Sequence, residues 1–509
     1  MALRLTVPSS VSSQNPPAET RPKQLKEWLD SLPLSKLFES SRAVCDELAR
    51  LNRLRISADE RLRLLEIYAP VLQQLRLEIA EDYNKAPLPL PSTSRQAVNL
   101  SRELLIEEAY AYKLALLEKM NKLKLFGVRK QLEPLIERVM LILSSSLTLS
   151  YQSYLPTPAG IWHEMHELYR YAYLQKMVGE ETNGAGVSSI DRIYKHAVLI
   201  ALADPYRLSR TDLHDVMRVA TQVAPLTKLH LMQLPDTQSL FVILPDTDKP
   251  PKPALPSGLD AEQRGVEWIV DTIILLRRLA DVLAERQSGS KRLSGRDVLH
   301  AAPEELLRRL IQCWGAPHKR LLPRRQAGQA TVHICMGISR LCKLLDSKHG
   351  EGSLNLPLRS QAGAVCEWDV VNQSAVGVKL RGTPSGDVAI NVGEIVGVQH
   401  RGIPEVAIGV VRWAQTFEDA SVEFGVQMLG PRAEVVTLEP TIGSNELQRA
   451  LLLPEIQALQ QPAAILMRPG WYMLGREFVL TNANQITTIR AGALVAKTSC
   501  YELFYFLPA

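Results

Sequence analysis

Cysteine is scarce in this chain. The six in 509 residues stand at positions 45, 313, 335, 342, 366 and 500, with no Cys-x-x-Cys pair. That scatter argues against a disulfide framework and fits free, partly buried thiols in a reducing cytoplasm. A dominant charge is also missing: 59 basic against 54 acidic residues leave +5, so bulk DNA is not an expected partner. Long hydrophobic runs are absent too. The longest uncharged stretch, Val139 to Trp162, is broken by Ser144, Ser145, Ser146, Thr148, Ser150, Gln152 and two prolines. A membrane span needs about 20 mostly apolar residues, so none is expected. The first residues carry no charged segment followed by an apolar run, and no signal peptide is expected. Neither the phosphate-loop pattern, nor Gly-x-Gly-x-x-Gly, nor Gly-x-Ser-x-Gly occurs, and no carboxylate couple singles itself out. The expectation is a cytoplasmic protein that is not an enzyme and holds no metal or cofactor.

What is present is ordinary globular material, 46% hydrophobic and 22% charged, in a chain long enough for more than one domain. The spacing predicts a multidomain α + β protein: an N-terminal all-helical array or bundle, a small antiparallel β-barrel and a β-rich C-terminal extension. Residues 1–20, rich in Ser, Pro and Gln, read as a disordered arm. Residues 21–228 read as a helical domain. There Ser57-Ala-Asp-Glu60 makes a capping box, and Leu64, Tyr68, Leu72, Leu75 and Ile79 fall on one face at the 3.6-residue period. Pro70 is expected to kink that helix. Residues 229–258, with five prolines from Pro245 onwards and an apolar run at 240–244, read as a connector. A helical segment over 259–315 follows, with Val266, Ile269, Ile273, Leu276, Ala280 and Leu283 on one face.

After Arg325 the period changes to two, with Val332, Ile334 and Met336 alternating with polar or small neighbours. Strands are expected at 364–371, 376–381, 387–398, 405–415 and 420–429, with a loop over 347–364. Their number and spacing suit a small antiparallel barrel over 316–436. The extension, 437–509, is expected to begin with a short helix near 445–460 and to end in strands.

Two motifs sit in this β region. His318-Lys-Arg-Leu-Leu-Pro-Arg-Arg325 gathers Lys319, Arg320, Arg324 and Arg325 where helix gives way to strand. Asn372-Gln-Ser-Ala-Val-Gly377 is a polar turn between apolar runs. Alone, the first is an ordinary basic linker and the second an ordinary turn. In order, with Ile408-Gly-Val-Val-Arg-Trp413 and Phe424-Gly-Val-Gln-Met-Leu429 behind them, they resemble the signature of the PilZ family, bacterial β-barrel modules that bind cyclic di-GMP. The resemblance implies a ligand with two phosphates and two guanines. It implies that Arg320 and Arg324 match the Arg-x-x-x-Arg positions, with Arg325 an adjacent extra, and that Asn372, Ser374 and Gly377 match the second motif. An arginine fork suits phosphate oxygens and guanine O6 and N7, and its face stacks on purines. Lys319 stands where the family varies and influences how many ligands stack. The interval from Arg324 to Asn372 is longer than the family's usual. The resemblance implies a cyclic di-GMP receptor that signals to its helical region, which would contact a protein partner, and leaves homo-oligomer formation open. The alternative is a nucleotide-independent scaffold acting through protein–protein contacts, since some family members have lost the ligand site.

One further pattern is declined. His163 and His166 in Trp-His-Glu-Met-His-Glu lie three apart, whereas the zinc-protease pattern needs four, so they read as structural histidines.

Overall fold

The structure, a computed structural model, describes residues 3–11, 17–122, 128–178, 189–231, 241–253, 268–288, 297–315, 325–326, 330–349, 366–374, 376–383, 388–442, 446–457, 460–482 and 485–509. The chain divides into two compact units. The first is Met1–Ala86, Leu90–Pro205 and Arg210–Lys319; the second is Pro87–Pro89, Tyr206–Ser209 and Arg320–Ala509.

The first unit is built on helices α1 (Pro22–Asp30), α2 (Leu37–Arg53), α3 (Ala58–Asn84), α4 (Ser92–Lys122), α5 (Val128–Gln152), α6 (Ile161–Leu174), α7 (Ser189–Leu202) and α8 (Arg210–Val223). α3 starts where the capping box stands: Ser57 Oγ accepts from the Glu60 amide, and the Glu60 carboxylate accepts from the Ser57 amide at 3.0 Å. Such a cap stabilises a helix by about 1 kcal/mol. The stripe Leu64, Tyr68, Leu72, Leu75 and Ile79 is buried, and the helix continues through Pro70. Glu108 on α4 is fully buried and answers Arg76 on α3 and Arg138 on α5, so one carboxylate ties three helices.

The arm departs from expectation. Leu3, Leu5 and Val7 alternate with more polar neighbours, Leu3 and Ala18 are buried, and the Thr6 amide donates to Glu164 Oε1 on α6 at 2.7 Å. The Val11 amide donates to the Arg53 carbonyl at 3.0 Å. Polar composition hid a short period-two pattern that the helices complete.

The segment expected as connector supplies strands. β1 (Lys228–Leu231), β2 (Phe241–Ile243), β3 (Lys252–Pro253) and β4 (Trp268–Asp271) form a sheet in the order β1-β4-β2-β3. Then come α9 (Ile273–Gln287), α10 (Val298–Ala301) and α11 (Glu304–Gly315). The expected helix face is corrected here. α9 buries Leu275, Leu279 and Val282, while Ile273 is 47% exposed. Two apolar stripes overlap in this sequence, and pairing of 268–271 as a strand starts the helix late and selects the second. Val266 lies outside the described residues.

The second unit holds two closed barrels. The first uses β6 (Thr331–Met336), β7 (Cys366–Ser374), β8 (Gly377–Gly382), β9 (Ile395–His400), β10 (Ala407–Thr416) and β11 (Val422–Gly430), preceded by the short β5 (Arg325–Gln326). The order β7-β6-β9-β10-β11-β8 closes through the β7–β8 hairpin, and β5 adds to the outside of β7. The interior is apolar, with Trp368 edge-on to Phe424 at 4.9 Å between ring centres. Between β6 and β7 lies a helix the sequence reading lacked, α12 (Ile338–His349). It follows Gly337, whose φ of +88° makes the bend out of the strand.

The second barrel is β12 (Glu434–Pro440), β13 (Gln448–Leu453), β14 (Ala464–Met467), β17 (Glu502–Pro508), β16 (Gln485–Lys497) and β15 (Glu477–Asn482), in that circular order. The helix expected near 445–460 is strand β13 instead, paired on both sides. Leu341, Cys342 and Leu345 of α12 share one apolar cluster with Val406 and Ile408 of the first barrel and with Leu451, Leu466 and Leu503 of the second. Gly397 makes room for that helix, because a Cβ there would lie 2.3 Å from a Leu341 methyl.

Candidate functional site

β7 positions the second motif, and a bulge aims it. Trp368 and Val370 point into the barrel, so strict alternation would turn Asn372 inward as well. The register shifts between Val370 and Asn372: Val370 faces Leu380, but Asn372 faces Lys379 and Ser374 faces Gly377. One extra residue, Val371, therefore carries Asn372 and Ser374 to the outer face, as bulges beside functional sites commonly do. Both are half-buried, and the Ser374 hydroxyl donates to the Gly377 carbonyl at 3.3 Å. The motif expected as a turn is thus mostly strand, with only residues 375 and 376 between β7 and β8.

Gly377 is demanded by its neighbour rather than by a turn. A Cβ there would lie 2.8 Å from the Val426 carbonyl oxygen of β11. The register continues outward across the sheet. Asn372 pairs with Lys379, Lys379 with Gly425, and Gly425 with Trp413 on β10. Trp413 lies flat against Gly425, where a Cβ would come within 2.0 Å of its Nε1. Lys379 Nζ sits 5.7 Å from the Trp413 ring centre and 2.6 Å from Glu423 Oε2. Arg412 Nε donates to Gln427 Oε1 at 2.7 Å, and Arg381 reaches Asp419 at 3.3 Å. The Ser421 hydroxyl and amide, with Arg381, hold the Asp419 carboxyl below its usual range. The face so built offers an amide, a hydroxyl, an ammonium group and an indole platform to a ligand with phosphates and planar bases.

Of the first motif only Arg325 is described, and it meets this face through backbone. β5 runs antiparallel to β7, with Arg325 opposite Gln373 and Gln326 opposite Asn372. Lys319, Arg320 and Arg324 lie outside the described residues, as does most of the 347–364 segment. Sequence reasoning missed Lys379 and gave Trp413 no role. The glycine at 425, on the strand following Trp413, was the available signal for a ring lying flat on a sheet.

Elsewhere, His166 is a core histidine. Its Nε2 donates to the Lys249 carbonyl at 2.9 Å and its Nδ1 lies 2.6 Å from the Tyr194 hydroxyl. Burial pushes its pKa down to about 4. No metal-ligating cluster occurs among the described residues, and no described helix is long and apolar enough to cross a membrane.

Three family models cover successive parts of the chain. Residues 23–236 match the N-terminal domain of the cyclic-di-GMP receptor FimW, residues 240–342 and 353–434 its middle PilZ domain, and residues 434–508 its C-terminal β-barrel domain. The chain carries a PilZ domain. The PilZ match brackets both motifs and breaks over 343–352, inside the long interval, where α12 ends. A protein of Pseudomonas aeruginosa named "Cyclic-di-GMP receptor FimW" is 25% identical over 547 aligned positions, covering 91% of this chain and 86% of that relative. No solved structure matches the chain. The models and this relative are thus all named for a PilZ-containing cyclic di-GMP receptor.

Proposed function

We propose that this chain is a cytoplasmic receptor for cyclic di-GMP, without catalytic activity and without a cofactor. The observation that supports the reading is the pairing of β5 with β7, which brings the backbone of Arg325, the last residue of the basic segment, beside the strand that presents Asn372 and Ser374. Arg320 and Arg324, just before β5, would grip the phosphates and a guanine edge as planar forks, with Lys319 and Arg325 adding charge. Asn372 and Ser374 would bond to the ligand's polar edge, with Gly377 keeping the strands close. Residues 316–324 join α11 directly to β5. A ligand gripped there would act on that connection, and the helical region would carry the response to a protein partner.

Calorimetric titration of cyclic di-GMP into the whole protein tests this. Saturable binding is expected, weakened by about 10- to 100-fold or more in Arg324→Ala, the scale of a lost charge-assisted fork. No heat and no thermal shift at high ligand would overturn the reading and leave the barrel a scaffold.

A further inference from the structure

The loop from β14 to β15 reads Arg468-Pro-Gly-Trp-Tyr-Met-Leu-Gly-Arg476, and nothing in the nucleotide site uses it. Its base is fixed. Glu502, fully buried, accepts at Oε2 from the amides of Trp471 (3.0 Å) and Tyr472 (2.8 Å). The Tyr472 hydroxyl donates to the Gly492 carbonyl at 2.9 Å, and the Arg476 guanidinium donates to the Trp471 carbonyl at 2.7 Å. Gly475 and Arg476 exchange backbone hydrogen bonds with Ala491, each 2.8 Å. Gly470 and Gly475, with φ of +101° and +78°, make the two bends.

What this fixed loop displays is apolar. Met473 is 57% and Leu474 72% exposed, and on the β12–β13 loop at the same barrel end Ile442 is 88% and Leu447 63% exposed. The two loops meet where the Thr441 amide donates to the Glu477 carbonyl at 3.1 Å. Apolar side chains on a loop pinned by a buried carboxylate cannot fold back to hide, and clustered exposure of this kind marks an interaction surface.

The chemistry around the tip selects the occupant. Trp471 and Tyr472, half-buried at the neck, are the residue types enriched at bilayer interfaces. Arg468, exposed, and Arg476 flank the tip. The carboxylates of Glu477 and Glu502 are answered by Arg490 and Lys497, and the neighbouring loop adds one more, Glu446. The barrel is closed, so it has no free edge for an added strand. We propose that this end of the C-terminal barrel docks on the interface of a bilayer containing anionic lipid, with Met473 and Leu474 below the headgroups and Arg468 at the phosphates. The proposal is independent of the nucleotide reading.

Co-sedimentation of the whole protein with phosphatidylglycerol/phosphatidylcholine vesicles, and with phosphatidylcholine alone, tests it. Binding is expected to the mixed vesicles, to weaken with salt, and to fall at least about tenfold in Met473→Asp/Leu474→Asp. Arg468→Glu is expected to reduce binding to the anionic vesicles. Thermal melting controls for folding, and Ile442→Asp on the separate loop stands in if the double variant does not fold. No sedimentation with anionic vesicles overturns the proposal, as does equal sedimentation of wild type and variants. A wild-type dimer that the double variant splits, with no vesicle binding, overturns it in favour of a second copy as the occupant.

Discussion

At Gly377 a Cβ would lie 2.8 Å from a backbone oxygen, and at Gly425 2.0 Å from the edge of an indole. The second clash is shorter but cheaper, because the half-buried Trp413 ring can swing outward, whereas Val426 of β11 is locked in the sheet. Gly377→Ala is therefore expected to lower stability by about 1–3 kcal/mol, read by urea unfolding. Gly425→Ala is expected to cost less than about 1 kcal/mol by the same measurement. It removes the flat indole, however, and base–aromatic stacking is worth about 1–3 kcal/mol per base. Its affinity for cyclic di-GMP is accordingly expected to drop by about 5- to 100-fold in calorimetry. The motif residues of this face were legible as residue types in order. Their outward aim was not, because it depends on the bulge at Val371, and an extra residue in one strand leaves no mark until its partner strand is known. Lys379 and Trp413 were equally hidden, since register alone brings them into one row with Asn372.

α12 is the element whose omission cost most. Ile338, Leu341, Cys342 and Leu345 follow a helical spacing, but they come straight after a strand and before a Gly/Ser-rich stretch, and the sequence reading gave 337–346 no element. The β13 error has the opposite sign. Gln448-Arg-Ala-Leu-Leu-Leu453 is a short apolar run that periodicity alone cannot assign, and pairing with β12 and β14 decides it. The long helix α3 was read correctly because many turns repeat one stripe. α9 was misread because two stripes compete over fewer turns. The role of α12 yields a sharp expectation. Leu341 is fully buried in the cluster shared by both barrels, so Leu341→Ala is expected to cost about 2–5 kcal/mol. The loss should appear in one cooperative transition for both barrels, followed by near-ultraviolet circular dichroism, with Trp368 reporting on one and Trp471 on the other.

For the molecule as a whole, the helical unit carries histidines with opposed pH linkage. His300 sits between Glu285 (2.9 Å) and Asp297 (2.8 Å), with Arg278 near the same carboxylates, and those hydrogen bonds raise its pKa above the usual 6.5. A raised histidine adds stability in full below its unfolded pKa, and that contribution is lost as pH rises through the folded value. His166 behaves in the reverse sense. Burial holds it neutral with a pKa of about 4, so the folded state loses stability as pH falls from the unfolded value of about 6.5 toward 4. His196, half-buried and likewise lowered by desolvation, adds to the same acid-side loss. The carboxyls of Glu285 and Asp297 are held below their usual values, and their contributions disappear further down. Stability of the helical unit is therefore expected to peak near pH 6.5 and to fall on both sides, read as the thermal midpoint of the helical signal. His300→Gln should flatten the alkaline side and leave the acid side in place. If the alkaline fall persists in that variant, the Glu285–His300–Asp297 cluster is not its source.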